Sequence, residues 1–126
     1  LKNFDDCKIS IFIDVDETIT RDCGASAMPN SIECIKRLSD KCNIYIWSQG
    51  GANYVQMIVD TFELNEFVCG VLPKPDIIID DLIANSQWIK KYFFPNWQYI
   101  LEFEKKLTGD YIDDGDLLYD KNIKSY

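Results

Sequence analysis

The chain contains no histidine. That absence excludes Ser-His-Asp and Cys-His nucleophilic catalysis, histidine phosphatases and histidine-ligated zinc sites. Its five cysteines (Cys7, Cys23, Cys34, Cys42 and Cys69) form no C-x-x-C pair, and none is followed six positions later by arginine. Redox motifs and Cys-based phosphatase loops are thereby absent. The thiols read as reduced and mostly buried, in a cytoplasmic setting. No apolar run reaches 18 residues, so no membrane span is expected. The opening "LKNFDDCKIS" lacks the basic-then-apolar layout of a secretory signal. Arginine is scarce (Arg21 and Arg37) and the net charge is −8, which argues against binding a polyanion. Nucleic acid is not an expected partner. Five of the negative charges are aspartates in "GDYIDDGDLLYD", residues 109 to 120, so the acidity is largely a feature of the tail.

What remains for chemistry is carboxylates, lysine, hydroxyls and an oxygen-ligated metal. With 126 residues, 47% of them hydrophobic and 27% charged, the chain is long enough for one domain with a real core. The apolar runs come in an order suited to a parallel sheet with crossover helices. "KISIFID" (8 to 14) reads as a first strand, and "PNSIECIKRLSDK" as a helix capped by Asn30 or Ser31, with Ile32, Ile35 and Leu38 at helical spacing. "NIYIWS" (43 to 48) is a second strand. A second helix over about 52 to 63 presents Val55, Ile58, Val59 and Phe62. A short third strand spans roughly Phe67 to Leu72, "PKPD" is an extended connector, and "IIID" (77 to 80) is a fourth strand. Beyond it, "QWIKKYFF" and "NWQYILEFEKKL" (96 to 107) carry helical signals, the second with Trp97, Ile100, Phe103 and Leu107 near one face. Ten of the seventeen aromatics lie in residues 82 to 126, so this region is expected to pack over a sheet edge or face rather than act as a linker.

The expected fold is therefore α/β: a single three-layer Rossmann-like domain over residues 1–126, with a mainly parallel sheet flanked by helices. The motif-bearing core runs from about 8 to 81, and an aromatic extension follows.

Polar residues sit at the ends of the apolar strands: Asp14 with Asp16, Ser48 with Gln49, Lys74, and Asp80 with Asp81. Taken singly, each is an ordinary turn, helix cap or surface charge. Strand ends in open α/β sheets converge on one edge, however, and ligands bind there. The set suits a phosphate ester. Asp14 can attack phosphorus and form an acyl phosphate. A carboxylate two residues on can protonate the leaving oxygen and then activate water. Mg²⁺ can be held by Asp14, a backbone oxygen at this turn and Asp80. Ser48 and the amides before the second helix can hold phosphate oxygens, and Lys74 offsets the crowded negative charge.

With these residues assembled, the chain resembles the haloacid dehalogenase-like (HAD) superfamily of phosphohydrolases. "DVDET" is similar to its first motif, D-x-D-x-T, which implies Asp14 as nucleophile, Asp16 as acid/base and Thr18 as a supporting hydrogen-bonding residue. "IYIWSQ" resembles the second motif, ending in Ser48; Lys74 matches the third-motif lysine, and "IIIDD" the double-Asp form of the fourth. The resemblance implies a metal set of Asp14, Asp16, Asp80 and Asp81, and covers residues 8 to 81. One departure is Glu17, where many members carry Gly in the turn after the nucleophile. The links Thr20 to Pro29 and Leu72 to Asp76 are too short for a cap domain, which implies a capless member with an open site. Such members are associated with large substrates or with oligomers that cover the site, here a homo-oligomer formed through the aromatic C-terminal region.

Several rivals and decoys stand beside this reading. "GDLLYD" (115 to 120) also fits a fourth-motif form, G-D-x-x-x-D, but follows "DYIDD" rather than a buried strand. The same segment fails as an EF-hand, since Ile112 and Lys121 fall where ligands are needed. A signalling receiver domain needs its phosphoacceptor at the end of the third strand, where this chain has "VCGVL". The alternative to an Mg²⁺-dependent phosphomonoesterase is a catalytically inactive HAD-like phosphate-binding or interaction protein. A nucleic-acid 3′-phosphatase is a lesser alternative. The substrate, a phosphorylated small molecule or macromolecule, is not legible.

Overall fold

The computed structural model describes residues 1–79, 81 and 99–107. Two apolar strands alternate with helices, and the parallel sheet follows from that alternation. The β-branched run Ile9–Asp14 is β1, Cys42–Ser48 is the longest strand, β4, and Gly70–Pro73 is β5. Their order is β1-β4-β5, both pairings parallel, with Ile13 beside Ile46 and Ile46 beside Val71. Between β1 and β4 lies α1 (Ser31–Leu38), and between β4 and β5 lies α2 (Ala52–Thr61). The link Thr20 to Pro29 is not irregular: β2 (Thr20–Arg21) and β3 (Ser26–Ala27) pair as a small antiparallel hairpin.

Side chains alternate across a strand, and the two faces of β4 have opposite fates. Cys42, Ile44 and Ile46 are buried in one cluster with Cys34, Ile35 and Leu38 of α1 and Val55, Ile58 and Val59 of α2. Tyr45 and Trp47 lie on the other face, where Phe12 stacks on Tyr45 and meets Trp47 edge-on, ring centroids 5.0 Å apart in both pairs. Among the described residues the arrangement is thus a helical layer on one face of a three-stranded sheet and an aromatic patch on the other. The expected second helical layer is not formed by them.

A third helix, α3 (Tyr99–Leu107), packs against α1 through Ile100, which is buried, and through half-buried Leu101, Phe103 and Leu107. Arg37 of α1 fixes it by a fork of two hydrogen bonds to Glu104, each 2.8 Å. At the start of α1 the Asn30 cap is left-handed (φ 64°) and makes no side-chain capping bond. Instead, Ser31 Oγ donates to the Ile19 carbonyl at 2.9 Å, tying the helix to the turn after β1.

Three expectations need correction. Residues 77–79 of the anticipated fourth strand are not in a strand, and Ile77, Ile78 and Ile79 are 79%, 70% and 96% exposed. A β-branched run becomes a strand only where it finds a ladder partner and a face to bury, and past Pro73 and Pro75 this run has neither among the described residues. The third strand begins at Gly70, later than expected, because Leu64, Phe67 and Val68 form a turn packed on the core. The five thiols are all unpaired, but they are not mostly buried: Cys34 and Cys42 are, Cys69 is half-buried, and Cys7 and Cys23 are exposed. Asp80, the expected helix "QWIKKYFF" and the acidic segment 109 to 120 lie outside the described residues, as does most of the aromatic extension. Among the described residues no helix is long and apolar enough to cross a membrane.

Candidate active site

The carboxyl end of β1 turns sharply. Three amides, of Thr18, Ile19 and Thr20, converge on the Val15 carbonyl at 3.2, 2.8 and 3.0 Å, and Glu17 N–H donates to Thr20 O at 2.7 Å. Val15 and Ile19 are fully buried and pin this turn to the core. Val15 is therefore the anchor between two outward aspartates, one at the end of the strand and one in the turn. Glu17 takes the left-handed conformation (φ 63°), which accounts for a glycine being the easier residue at this position.

Asp14 is held by two groups from different parts of the chain. Lys74 Nζ lies 2.8 Å from its Oδ1, and Thr18 Oγ1 donates to Oδ2 at 3.3 Å. Lys74 is delivered by the backbone: its N–H donates to the Ser48 carbonyl at 2.9 Å, which continues the β4–β5 ladder past Pro73. The ammonium also sits 5.9 Å from the centroid of Trp47, the residue beside Asp14 in the sheet. The pair is about one-third exposed (31% and 33%), open to solvent on one side.

Ser48 is buried at the end of β4, and its Oγ accepts the Gly50 N–H at 2.9 Å. That bond shapes the "QGG" loop and turns the chain into α2, whose N-cap Gly51 offers no side chain to occupy the first amides. Gln49 is exposed in this loop. α2 thus starts from the carboxyl end of β4, the edge of the sheet at which β1 ends in Asp14.

Asp16 is exposed and has a different partner. Tyr54, in the first turn of α2, donates from its phenol to Asp16 Oδ1 at 2.6 Å. Burial first, and then the hydrogen bond to the Asp16 carboxylate, pushes the phenol pKa up to about 12. Tyr54 therefore remains a donor at neutral pH. Sequence reasoning missed it. The available signal was an aromatic with a polar tip one turn into a helix that starts beside a phosphate-loop candidate.

Of the residues expected to act together, Asp14, Thr18 and Lys74 are in direct contact, Ser48 is joined to Lys74 through the backbone, and Asp16 stands one residue beyond Val15. Among the described residues, no group of three or more carboxylate or thiol side chains is close enough to hold a metal ion, and Asp81 is exposed. Asp80 is outside the described residues. Two hard oxygen donors, Asp14 and Asp16, remain at the end of β1.

Comparison of the chain with protein-family models, with curated proteins and with solved structures found no match in any of the three.

Proposed function

We propose that the chain is an Mg²⁺-dependent phosphomonoester hydrolase of HAD-like type, acting through an aspartyl phosphate on Asp14. The observation that carries this reading is the Lys74–Asp14 contact at 2.8 Å, made between two strand ends 60 positions apart in sequence. A carboxylate nucleophile facing a dianionic ester needs a cation beside both, and Lys74 is suited to serve both. In the first step an Asp14 oxygen bonds phosphorus while the ester P–O bond breaks, and Asp16 gives its proton to the departing oxygen. In the second, Asp16 takes a proton from water as the water oxygen bonds phosphorus. The acyl P–O bond then breaks and returns Asp14 as a carboxylate. Ser48, the Gly50–Gly51 loop and the N-terminus of α2 are suited to the remaining phosphate oxygens. Gln49 flanks them.

The donor chemistry at the end of β1 fits a hard cation, since Mg²⁺ is usually held by one or two carboxylates with water and substrate phosphate completing the shell. Asp14 would hold it through its carboxylate and Asp16 through its backbone carbonyl, with Asp80 and Asp81 as further candidates. When bound, Mg²⁺ supplies positive charge to the phosphate oxygens. The architecture that goes with this proposal is a three-layer, Rossmann-like domain without a cap. Its support is the patch of Phe12, Tyr45 and Trp47, because parallel sheets are normally covered on both faces. A reducing, cytoplasmic setting belongs to the same proposal.

The test is phosphate release from a panel of phosphomonoesters with Mg²⁺ and again with EDTA, for the native chain and for Asp14→Asn and Asp16→Asn. Release that needs Mg²⁺ and vanishes in Asp14→Asn is expected. Asp16→Asn should lose about 10²–10⁴-fold. After brief exposure to an activated ester, mass spectrometry of that variant should find phosphate on Asp14. No release across the panel, or full activity in Asp14→Asn, overturns the reading.

A further inference from the structure

The phenol of Tyr54 distinguishes Asp16 from an ordinary exposed aspartate. Its hydroxyl donates to Oδ1 at 2.6 Å, short for a hydrogen bond between oxygens, as expected where the acceptor is charged. The ring is held rather than free. A Cβ on Gly50 would lie 2.9 Å from Tyr54 Cδ2, and a Cβ on Gly24 would lie 3.3 Å from the Tyr54 hydroxyl and 2.7 Å from Ile58 Cδ1. Glycine at these two positions lets the β4–α2 loop and the β2–β3 hairpin close on the ring from two sides. The hydroxyl is thereby fixed in space, and so is the carboxylate oxygen that it holds.

We infer that Tyr54 is a positioning residue for Asp16, holding Oδ1 so that the proton Asp16 transfers is carried on Oδ2. This rests on the phosphohydrolase reading of the site. A carboxylic acid has two oxygens, and a proton on the wrong one, or a rotated carboxyl group, must be corrected before transfer. With Oδ1 occupied as the acceptor of the phenol, Oδ2 bears the proton. As the ester P–O bond breaks, the Oδ2 proton passes to the departing oxygen and leaves a carboxylate still held at Oδ1. In the second step Oδ2 takes a proton from the water that attacks phosphorus. Tyr54 keeps its own proton throughout, so it orients the reaction without exchanging anything with the substrate.

The test is Tyr54→Phe, which keeps the ring that Gly24 and Gly50 accommodate and removes only the hydroxyl. Its melting temperature and circular dichroism check that the fold persists. Steady-state kinetics with Mg²⁺ are compared for an alkyl phosphate and an activated aryl phosphate, in the native chain, Tyr54→Phe, Asp16→Asn and the double variant. For the alkyl ester kcat should fall about tenfold, equivalent to about 1.4 kcal/mol in the barrier, with KM changed less than about twofold. For the activated ester, which needs little protonation on departure, the loss should move to the second step and phosphoenzyme should accumulate on Asp14. In the Asp16→Asn background the Tyr54 change should cost nothing further, because residues acting as a unit are not additive. If the native chain hydrolyses esters but Tyr54→Phe matches it, builds up no phosphoenzyme on the activated ester, or loses as much again in Asp16→Asn, the Tyr54 assignment is overturned and the phosphatase reading stands. If the native chain hydrolyses nothing, both fall together.

Discussion

The Arg37–Glu104 fork ties α3 to α1, and removing it should have a calculable cost. Two hydrogen bonds of 2.8 Å, from Nε to Oε2 and from Nη2 to Oε1, make the planar bidentate pairing that suits guanidinium and carboxylate. Arg37 is 54% exposed and Glu104 only 15%, so water screens the cation far more than the anion. Exposed pairs contribute at most about 1 kcal/mol, and this fork belongs near that upper value. The expected coupling in a cycle of Arg37→Met, Glu104→Gln and the double variant is therefore about 1 kcal/mol, or roughly 4 °C in melting temperature for a domain of this size. Arg37→Met alone should cost somewhat more, since it leaves the Glu104 carboxylate mostly buried and without its fork. The pH dependence follows from the direction of the shift. The Arg37 hydrogen bonds, opposed by burial, hold the Glu104 carboxyl below the usual glutamate range. A group whose folded pKa is depressed contributes stability that is fully present above its unfolded pKa, about 4.3, and is lost as the pH falls through the lower folded value. Urea unfolding at low salt, at pH 7 and at successive values below about 4, reads the coupling directly. A coupling within about 0.3 kcal/mol of zero at pH 7, or one unchanged by acid, refutes the reasoning.

Two further outcomes follow from the turn and the pair at the end of β1. Glu17 holds φ 63°, a conformation that costs a side-chain-bearing residue about 1–2 kcal/mol, while glycine loses about 0.5–1 kcal/mol more chain entropy on folding. Glu17→Gly should therefore stabilise the chain by about 0.5–1 kcal/mol in urea unfolding, and a destabilised variant would mean that the Glu17 side chain makes a compensating contact. Lys74→Met should lower kcat on a phosphomonoester by about 10²-fold while changing stability by less than about 1 kcal/mol, because its partner Asp14 is partly solvated. A change in kcat below about threefold would remove Lys74 from the chemistry.

How far the sequence could be read depended on whether a residue's fate was decided locally. β1 and β4 are legible to within a residue, because Ile11, Ile13, Ile44 and Ile46 alternate with residues of the other face and both strands end at polar side chains. The inward face of α3 was legible for the same reason, through Ile100, Phe103 and Leu107. The Lys74–Asp14 contact was reached by topology, since parallel strands bring their carboxyl ends to one edge. Ile77 to Ile79 show the limit of such reading. Their composition is as strand-like as that of β1, but pairing is a property of two segments, and composition reports on only one. The β2–β3 hairpin escaped because strands of two residues carry too little pattern to register. Tyr54 escaped because its role depends on space left by Gly24 and Gly50, which lie 30 and four positions upstream of it.

The two aspartates of "DVDET" are equivalent in the motif and inequivalent in space. Asp14 ends a strand, so its position is set by the sheet, and its oxygens meet a cation and a hydroxyl that arrive from β5's exit and from the turn. Asp16 lies in the turn itself, exposed, with a phenol from α2 to orient it. A nucleophile must be rigid and sit beside the positive charge that the phosphate will share, which is the situation of Asp14. A group that gives and then takes a proton must reach first the departing oxygen and then the incoming water, which enters from the open side. Asp16 is the more exposed of the two. The division of labour proposed for the pair therefore follows from where the strand stops: one carboxylate inside the last hydrogen-bonded position of β1 and one two residues beyond it, with buried Val15 between them.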